Sequence, residues 1–366
     1  MAMLWAESAV ALAPSKAADS GGAPDALAAP SGYYRHAIFD NSWTPEAHYA
    51  SRGSSSGSSG LRLVRGRIPV DTAVFHSAPN ALRLQWWSTA NGYWEATLES
   101  ELWRNRGDAF EGDALIFWAH APEGLPSARL PRLRVRDMGG RVSRPVRLAR
   151  MVGDLPKGKW VRVAVPLKSF SSEETGFDPR RMTVLSFVQA IGDTGAGALL
   201  VDDVKIDQLK PRPSPPPGAP SGVRAVGYER HVDLTWEQAG QEVEAYEIHR
   251  SDDGVTYRPV GLQRAGVGRH ADWVGEPGRK VQYRIAARDR AGRVSPLSAP
   301  VSAATRALSD DELLSMVQEA HFRYYWEAAL ESELWRNRGD AFEGDALIFW
   351  AHAPEGLTSA RLPRLR

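Results

Sequence analysis

From His36 to about Leu209 the apolar residues recur at alternate positions, in short runs broken by turn residues, and almost nowhere at helical spacing. Successive side chains of a strand point to opposite faces, so this period demands an all-β chain of half-buried strands, a sandwich. In ALRLQWW, Leu82, Leu84 and Trp86 take one face and Arg83, Gln85 and Trp87 the other, which makes Trp86 a core residue and leaves Trp87 exposed. DALIFWAHA separates Leu115, Phe117 and Ala119 from Ile116, Trp118 and His120, although both sets are partly apolar. In GKWVRVAVPLKSF, Val161, Val163 and Val165 fall together, Pro166 marks a strand edge or end, and Trp160 reads as core. GALLVDDVKID puts Leu200, Asp202, Val204 and Ile206 on one face.

Punctuation divides the rest. Residues 1–31 carry an apolar opening and small residues like those of a cleavage region, but the first basic residue is Lys16, so they read as a disordered or clipped export segment. The first sandwich spans 32–210. The proline-rich stretch 211–219 is an extended linker expected to hold its neighbours apart. Residues 220–305 form a second, smaller sandwich, with Val232, Leu234 and Trp236, then Tyr246 and Ile248, then Val281, Tyr283, Ile285 and Ala287 facing inward. Residues 306–328 contain a helix. Ser309 and Glu312 make a capping box, and Leu313, Val317, Ala320 and Tyr324 line one helical face. The last stretch, 329–366, is a partial duplicate of 97–134. With its flanking YWEA, the whole of Tyr93–Arg134 recurs as Tyr325–Arg366, with only Thr97 replaced by Ala329 and Pro126 by Thr358. Near identity without a regular period marks a recent sequence event, and it reads as having replaced whatever once followed Tyr325. A second set of strands from inside the first sandwich could exchange with the original within or between chains.

Composition excludes several functions. There is no cysteine, hence no disulfide, thiolate metal site or cysteine nucleophile. No apolar run is long enough to span a bilayer. The net charge of +1 hides a basic run, Arg129–Arg162, with eleven Arg or Lys against Asp137 and Asp154. It could attract polyanions from adjacent strands, but no nucleic-acid motif accompanies it, and a solvated face is the plainer reading. Zinc spacings, phosphate loops and nucleophile elbows are absent. Neighbouring acids on a strand, such as Glu99 and Glu101, point apart and cannot flank a glycosidic bond.

Three stretches carry family resemblances. PSGVRAV, LTW, YEIHRSDDG and YRIAARDRAGRVSPLS resemble a fibronectin type III domain, with Trp236 as core tryptophan and Tyr283 in the place of the tyrosine corner. FHSAPNALRLQW, DALIFWAHAPEG, LPKGKWVRVAVPLKSF and GALLVDDVKID are similar to the jelly-roll carbohydrate-binding modules of bacterial glycoside hydrolases. SDDELLSMVQEAHFRYYWEA resembles the first helix of the glucoamylase-like (α/α) barrel family that includes endo-β-1,2-glucanases. The expected fold is therefore a jelly-roll β-sandwich followed by a fibronectin type III sandwich, a short helix and a partial repeat.

The resemblance implies a polysaccharide partner, with a β-glucan in view. Sugar rings present flat C–H faces that stack on aromatic rings while polar neighbours bond the hydroxyls. Trp87, Tyr93, Trp94, Trp103 and Trp118 are the candidate platforms, and Arg83, Gln85, Asn91, His120 and Arg136 the polar partners. It also implies a structural calcium, with oxygens from Asp40, Asn41 and the inward Asp202; the plainer alternative is that Asp202 accepts backbone or hydroxyl hydrogen bonds. No catalytic residue is assigned. The chain reads as the non-catalytic glycan-binding and spacer region of a secreted or periplasmic polysaccharide-degrading enzyme, truncated after the first helix of the barrel so that the catalytic domain is absent from it. The alternative is a structural or adhesive cell-surface protein without a specific glycan.

Overall fold

The computed structural model describes residues 37–42, 44–99, 112–171, 176–210, 215–240 and 243–324. The export segment, Trp103 and the C-terminal duplicate lie outside the described residues. Residues 1–308 form one compact unit and 309–366 a second.

The first sandwich contains β1 (Ala37–Phe39), β2 (Ser51–Ser56), β3 (Gly60–Leu61), β4 (Val70–Asp71), β5 (Ala81–Ser88), β6 (Tyr93–Glu99), β7 (Ala114–His120), β8 (Arg132–Asp137), β9 (Val146–Arg147), β10 (Trp160–Pro166), β11 (Met182–Val188) and β12 (Gly195–Asp207). A four-residue helix, α1 (Ala149–Val152), follows β9. A seven-stranded sheet runs β10-β7-β12-β5-β3, with β1 added on β12 and β4 on β5; a five-stranded sheet runs β2-β6-β11-β8-β9. All the pairings are antiparallel. The core between the layers is built from the alternation visible in the sequence. Leu82, Leu84 and Trp86 of β5 and Leu115, Phe117 and Ala119 of β7 meet Trp94, Ala96 and Leu98 of β6 and Leu185 and Phe187 of β11. Phe117 and Phe187 pack edge to face at 5.8 Å between ring centres, and Trp86 lies 5.1 Å from Trp94. Gly197 has no side chain because the Trp86 ring occupies the space a Cβ would fill.

One strand departs from simple alternation. Leu199, Val201, Val204 and Ile206 of β12 enter the core, whereas Leu200 does not belong to it. The expectation that Leu200, Asp202, Val204 and Ile206 share a face therefore fails. A bulge at Asp202–Asp203, with Asp203 at φ 50°, inserts an extra residue and reverses the parity halfway along the strand.

The second sandwich holds β13 (Arg224–Gly227), β14 (His231–Thr235), β15 (Val243–Ser251), β16 (Arg258–Arg264), β17 (Arg269–Trp273), β18 (Lys280–Asp289) and β19 (Val301–Ala304), in sheets ordered β13-β14-β17 and β16-β15-β18-β19. Trp236, Tyr246, Ile248, Tyr283 and Ile285 fill its core, as the sequence predicts. Tyr283 differs from a tyrosine corner in one respect: its hydroxyl donates to the Asp272 carboxylate (2.7 Å), which also takes Arg250 Nη1 (2.8 Å), and not to backbone.

In the second unit, α2 (Asp310–Tyr324) begins with the expected box: Ser309 N–H donates to Glu312 Oε2 (3.0 Å) and Glu312 N–H to Ser309 Oγ (3.3 Å). Its Leu313, Leu314, Val317 and Phe322 are exposed.

The two sandwiches touch, contrary to the expectation that a proline linker separates them. Arg264 of β16 reaches Asp40 (3.2 Å), Arg288 of β18 reaches Asp203 (3.3 Å) and Ser77 (2.6 Å), and Lys205 of β12 pairs with Glu244 of β15. A linker's composition sets its stiffness and reach, and does not by itself keep the faces it connects apart.

Candidate functional site

The outer face of the seven-stranded sheet collects most of the residues that the sequence singles out. Because Leu82, Leu84 and Trp86 turn inward, Arg83, Gln85 and Trp87 of β5 turn outward, and the same parity on β7 turns Trp118 and His120 outward. Trp160 and Arg162 of β10 share that side, since Val163 and Val165 are core. The reading of Trp160 as core is thus corrected; it is half-buried and opposite in parity to the valines.

At one end stands Trp87, 49% exposed, the most open ring of the face. Its ring lies across Gly60 of the neighbouring β3, where any Cβ would collide with it. At the other end is an aromatic cluster. Trp118 stacks on His76 at 4.0 Å and 15°, His76 meets Trp160 edge-on at 5.7 Å, and Trp160 lies 5.1 Å from His120. Trp87 pairs with Ala196 and Trp118 with Asp202 on the same strand, β12. At the usual strand rise and strand spacing, that register sets the two rings about 22 Å apart on a diagonal. Between them lie Ala198 and Leu200 of β12, flanked by Gln85 and Arg83 on one side and His120 on the other. Arg83 is held by Asp71 (2.8 Å), and Arg62 donates to Gln85 Oε1 (3.4 Å). Nδ1 of the buried His120 has no hydrogen-bond partner.

Not every predicted residue joins this face. Trp94 is fully buried in the core with Nε1 donating to Ser88 Oγ (3.0 Å), so no sugar can stack on it. Tyr93 lies on the outer side of the other sheet, where its hydroxyl donates to Glu95 Oε2 (3.2 Å) and Glu95 takes Arg134 (2.5 Å). Burial, then the Glu95 charge, push the Tyr93 phenol up to about 12. Arg136 shares β8 with Arg134, and Asn91 sits in the β5–β6 turn. The basic run is not one surface. β8 and β10 belong to different sheets, and Arg134, Arg141 and Lys157 pair with Glu95, Asp137 and Glu123.

Asp202, Asp40 and Asn41, the residues named for calcium, each have protein partners. Asp202 is fully buried, yet outside the core; its Oδ2 accepts the N–H groups of His76 and Ser77 (2.8 Å each) and its Oδ1 that of Asp203 (2.8 Å). This is the plainer alternative. Asp40 pairs with Arg264, and Asn41 Oδ1 accepts the Asn80 N–H at 3.4 Å. Among the described residues no group of three or more acidic or histidine side chains is arranged to hold a metal.

Charge concentrates where the sandwiches meet, beside the aromatic cluster. Asp203 Oδ2 contacts His76 Nδ1 (2.8 Å) and accepts from Ser77 Oγ (2.6 Å), while Oδ1 accepts from Arg288 (3.3 Å). Burial opposes its ionisation, but Arg288, His76 and Arg264 outweigh burial and hold the carboxyl far below its usual range. Asp202 goes the other way: burial, then the Asp203 charge, raise it well above. Glu244 and Glu247 are held below the usual range, since Lys205, Arg264 and Arg288 around the one and His249 and Arg288 around the other overcome burial. Sequence reasoning missed His76, Asp203, Arg288 and Glu247. His76 sits in a loop without periodicity, and the other three gain meaning only when two separate sandwiches meet.

Comparison with known proteins bears on this face. Residues 35–208 match the family model of carbohydrate binding domain 30. That stretch contains both sheets of the first sandwich. An exo-β-1,2-glucooligosaccharide sophorohydrolase (non-reducing end) of Parabacteroides distasonis is 30% identical over 300 residues, covering 81% of this chain and 41% of that protein. The chain thus spans about two fifths of the length of the curated relative it matches. The crystal structure of a β-1,2-glucanase from Parabacteroides distasonis is similar at 29% identity and a TM-score of 0.73, over 80% of this chain and 42% of that one. A family 30 carbohydrate-binding module of a cellulosomal cellulase of Clostridium thermocellum aligns at 22% identity over 48% of this chain and 98% of its own, with a TM-score of 0.37. The domain match and the relationship to a glucanase support a glycan-binding role.

Proposed function

We propose that the chain binds a neutral glucan, without turning it over, along the outer face of the seven-stranded sheet between Trp87 and the Trp118–Trp160 cluster. The observation that carries this reading is the placement of exposed or half-buried tryptophans at both ends of one face, with Arg83, Gln85 and His120 between them. Aromatic rings supply flat apolar area at low entropic cost, and the polar groups between them meet ring hydroxyls. The diagonal is as long as several sugar rings, so the ligand is a polymer or a long oligosaccharide. β-1,2-Glucan is the first candidate because the relatives act on β-1,2-linked glucans by name.

On this reading the role of the face is to hold polymer. In a longer parent, the tethered face would raise the local concentration of substrate around a catalytic domain. Such a protein works outside the cytoplasm, in the periplasm or medium. The test is affinity electrophoresis and calorimetry of the full chain against β-1,2-, β-1,3- and β-1,4-glucans. Selective binding that is lost in Trp87→Ala supports the reading; binding to none of them turns it toward a structural or adhesive role. Hydrolysis of β-1,2-glucan by contaminant-free protein would overturn the non-catalytic assignment.

A further inference from the structure

We propose that the second sandwich is a working part of the glycan site, with Arg288 as a positioning residue that fixes Trp118 through Ser77, Asp203 and His76. The inference rests on the glycan reading above.

The chain of contacts is continuous. Arg288 is nearly fully buried at the junction; its Nη1 donates to Ser77 Oγ (2.6 Å) and its Nη2 to Asp203 Oδ1 (3.3 Å). Ser77 Oγ donates in turn to Asp203 Oδ2, and the same oxygen contacts His76 Nδ1. Main-chain N–H groups of His76 and Ser77 are pinned to Asp202 Oδ2. His76 is thus held at its backbone and its ring, and the ring it presents is the one that stacks on Trp118. Glu247 closes the set from the second sandwich, 3.8 Å from Arg288 and 3.5 Å from His249.

A loop residue stacked on a platform ordinarily has several rotamers; here the polar groups around His76 are fixed by partners from β12 and β18 together. Fixing a ring before the ligand arrives reduces the entropy lost on binding. A module that kept only the first sandwich would lose the guanidinium that ties Ser77 to Asp203. The second sandwich is therefore more than a spacer.

The test uses the full chain and a double-mutant cycle with β-glucan binding as readout. Arg288→Ala should weaken binding about tenfold, equivalent to about 1.4 kcal/mol, and Ser77→Ala, which strands no charge, should weaken it less. A general loss of structure would add to any other lesion, whereas action through Trp118 would not. The effect of Arg288→Ala should thus vanish in a Trp118→Ala background and persist in a Trp87→Ala background. Additivity with Trp118→Ala, or unchanged affinity in both single variants, overturns the proposal. Should the wild-type chain bind no glucan, the glycan-binding role fails by itself, and amide exchange decides the junction. Faster exchange of the His76 and Ser77 amides in Ser77→Ala and Arg288→Ala supports positioning, and unchanged protection overturns it.

Discussion

Gly60→Ala moves the Trp87 ring without removing an atom from it. A Cβ at residue 60 would lie within the space of the indole, against Cζ2, Cε2 and Cη2. The neighbour that must give way is a side chain 49% exposed, so the ring swings into solvent and the strand keeps its register. Half of a tryptophan surface is about 125 Å², worth at most about 3 kcal/mol at 25 cal/mol/Å². The ring rests on an exposed strand edge and the new methyl replaces part of the contact, so the expected stability loss is below about 1 kcal/mol. The open half of the ring is the surface a sugar would cover. After the cost of ordering the ligand, that contact is worth about 1–2 kcal/mol, or about five- to thirtyfold in Kd. Calorimetry against a bound β-glucan, paired with thermal unfolding, should therefore show affinity falling about as far in Gly60→Ala as in Trp87→Ala while Tm shifts by only a few degrees. Wild-type affinity in Gly60→Ala, alongside a clear loss in Trp87→Ala, would refute the argument that ring orientation over Gly60 shapes the platform.

Three further predictions follow from the same geometry. Tyr93→Phe should leave glucan affinity within about twofold, because Tyr93 lies on the opposite sheet; a tenfold loss in calorimetry would place a ligand there. Stability should fall in acid: Asp203, Glu244 and Glu247 are depressed in the folded state, so their contribution is complete above the unfolded values near pH 4 and is lost as pH falls through the lower folded values. Asp202, raised in the folded state, contributes the opposite slope, and a Tm unchanged from pH 6 to pH 3 would mean that these charges are not coupled to folding. A chelator should leave Tm unchanged, because Asp40 and Asp202 are occupied by Arg264 and by backbone N–H groups; a chelator-dependent drop would return a cation to the junction.

Much of the face was legible in the sequence because parity is a local property. Once Leu82, Leu84 and Trp86 are assigned inward, Trp87 must point out, and the same rule applied to Val161, Val163 and Val165 would have turned Trp160 outward as well. Parity fails where the chain is not a uniform strand. The bulge at Asp203 reversed it in β12; in β6 it held, since Trp94 has the parity of Ala96 and Leu98 and packs in the core against Trp86, so parity read along β6 already counts it out as a platform.

The chain's residues alone determined the all-β class, the two sandwiches, their inward tryptophans and the capped helix, because backbone period, turn chemistry and capping act over a few positions. Only tertiary structure decided that Tyr93 and Trp87 occupy opposite layers, that His76 is brought onto Trp118, and that Arg288 enters a cluster with an aspartate 85 residues earlier in the chain. Such contacts depend on which faces come together and on the cost of burying a charge without a partner, and neither is written in the spacing of residues along one strand.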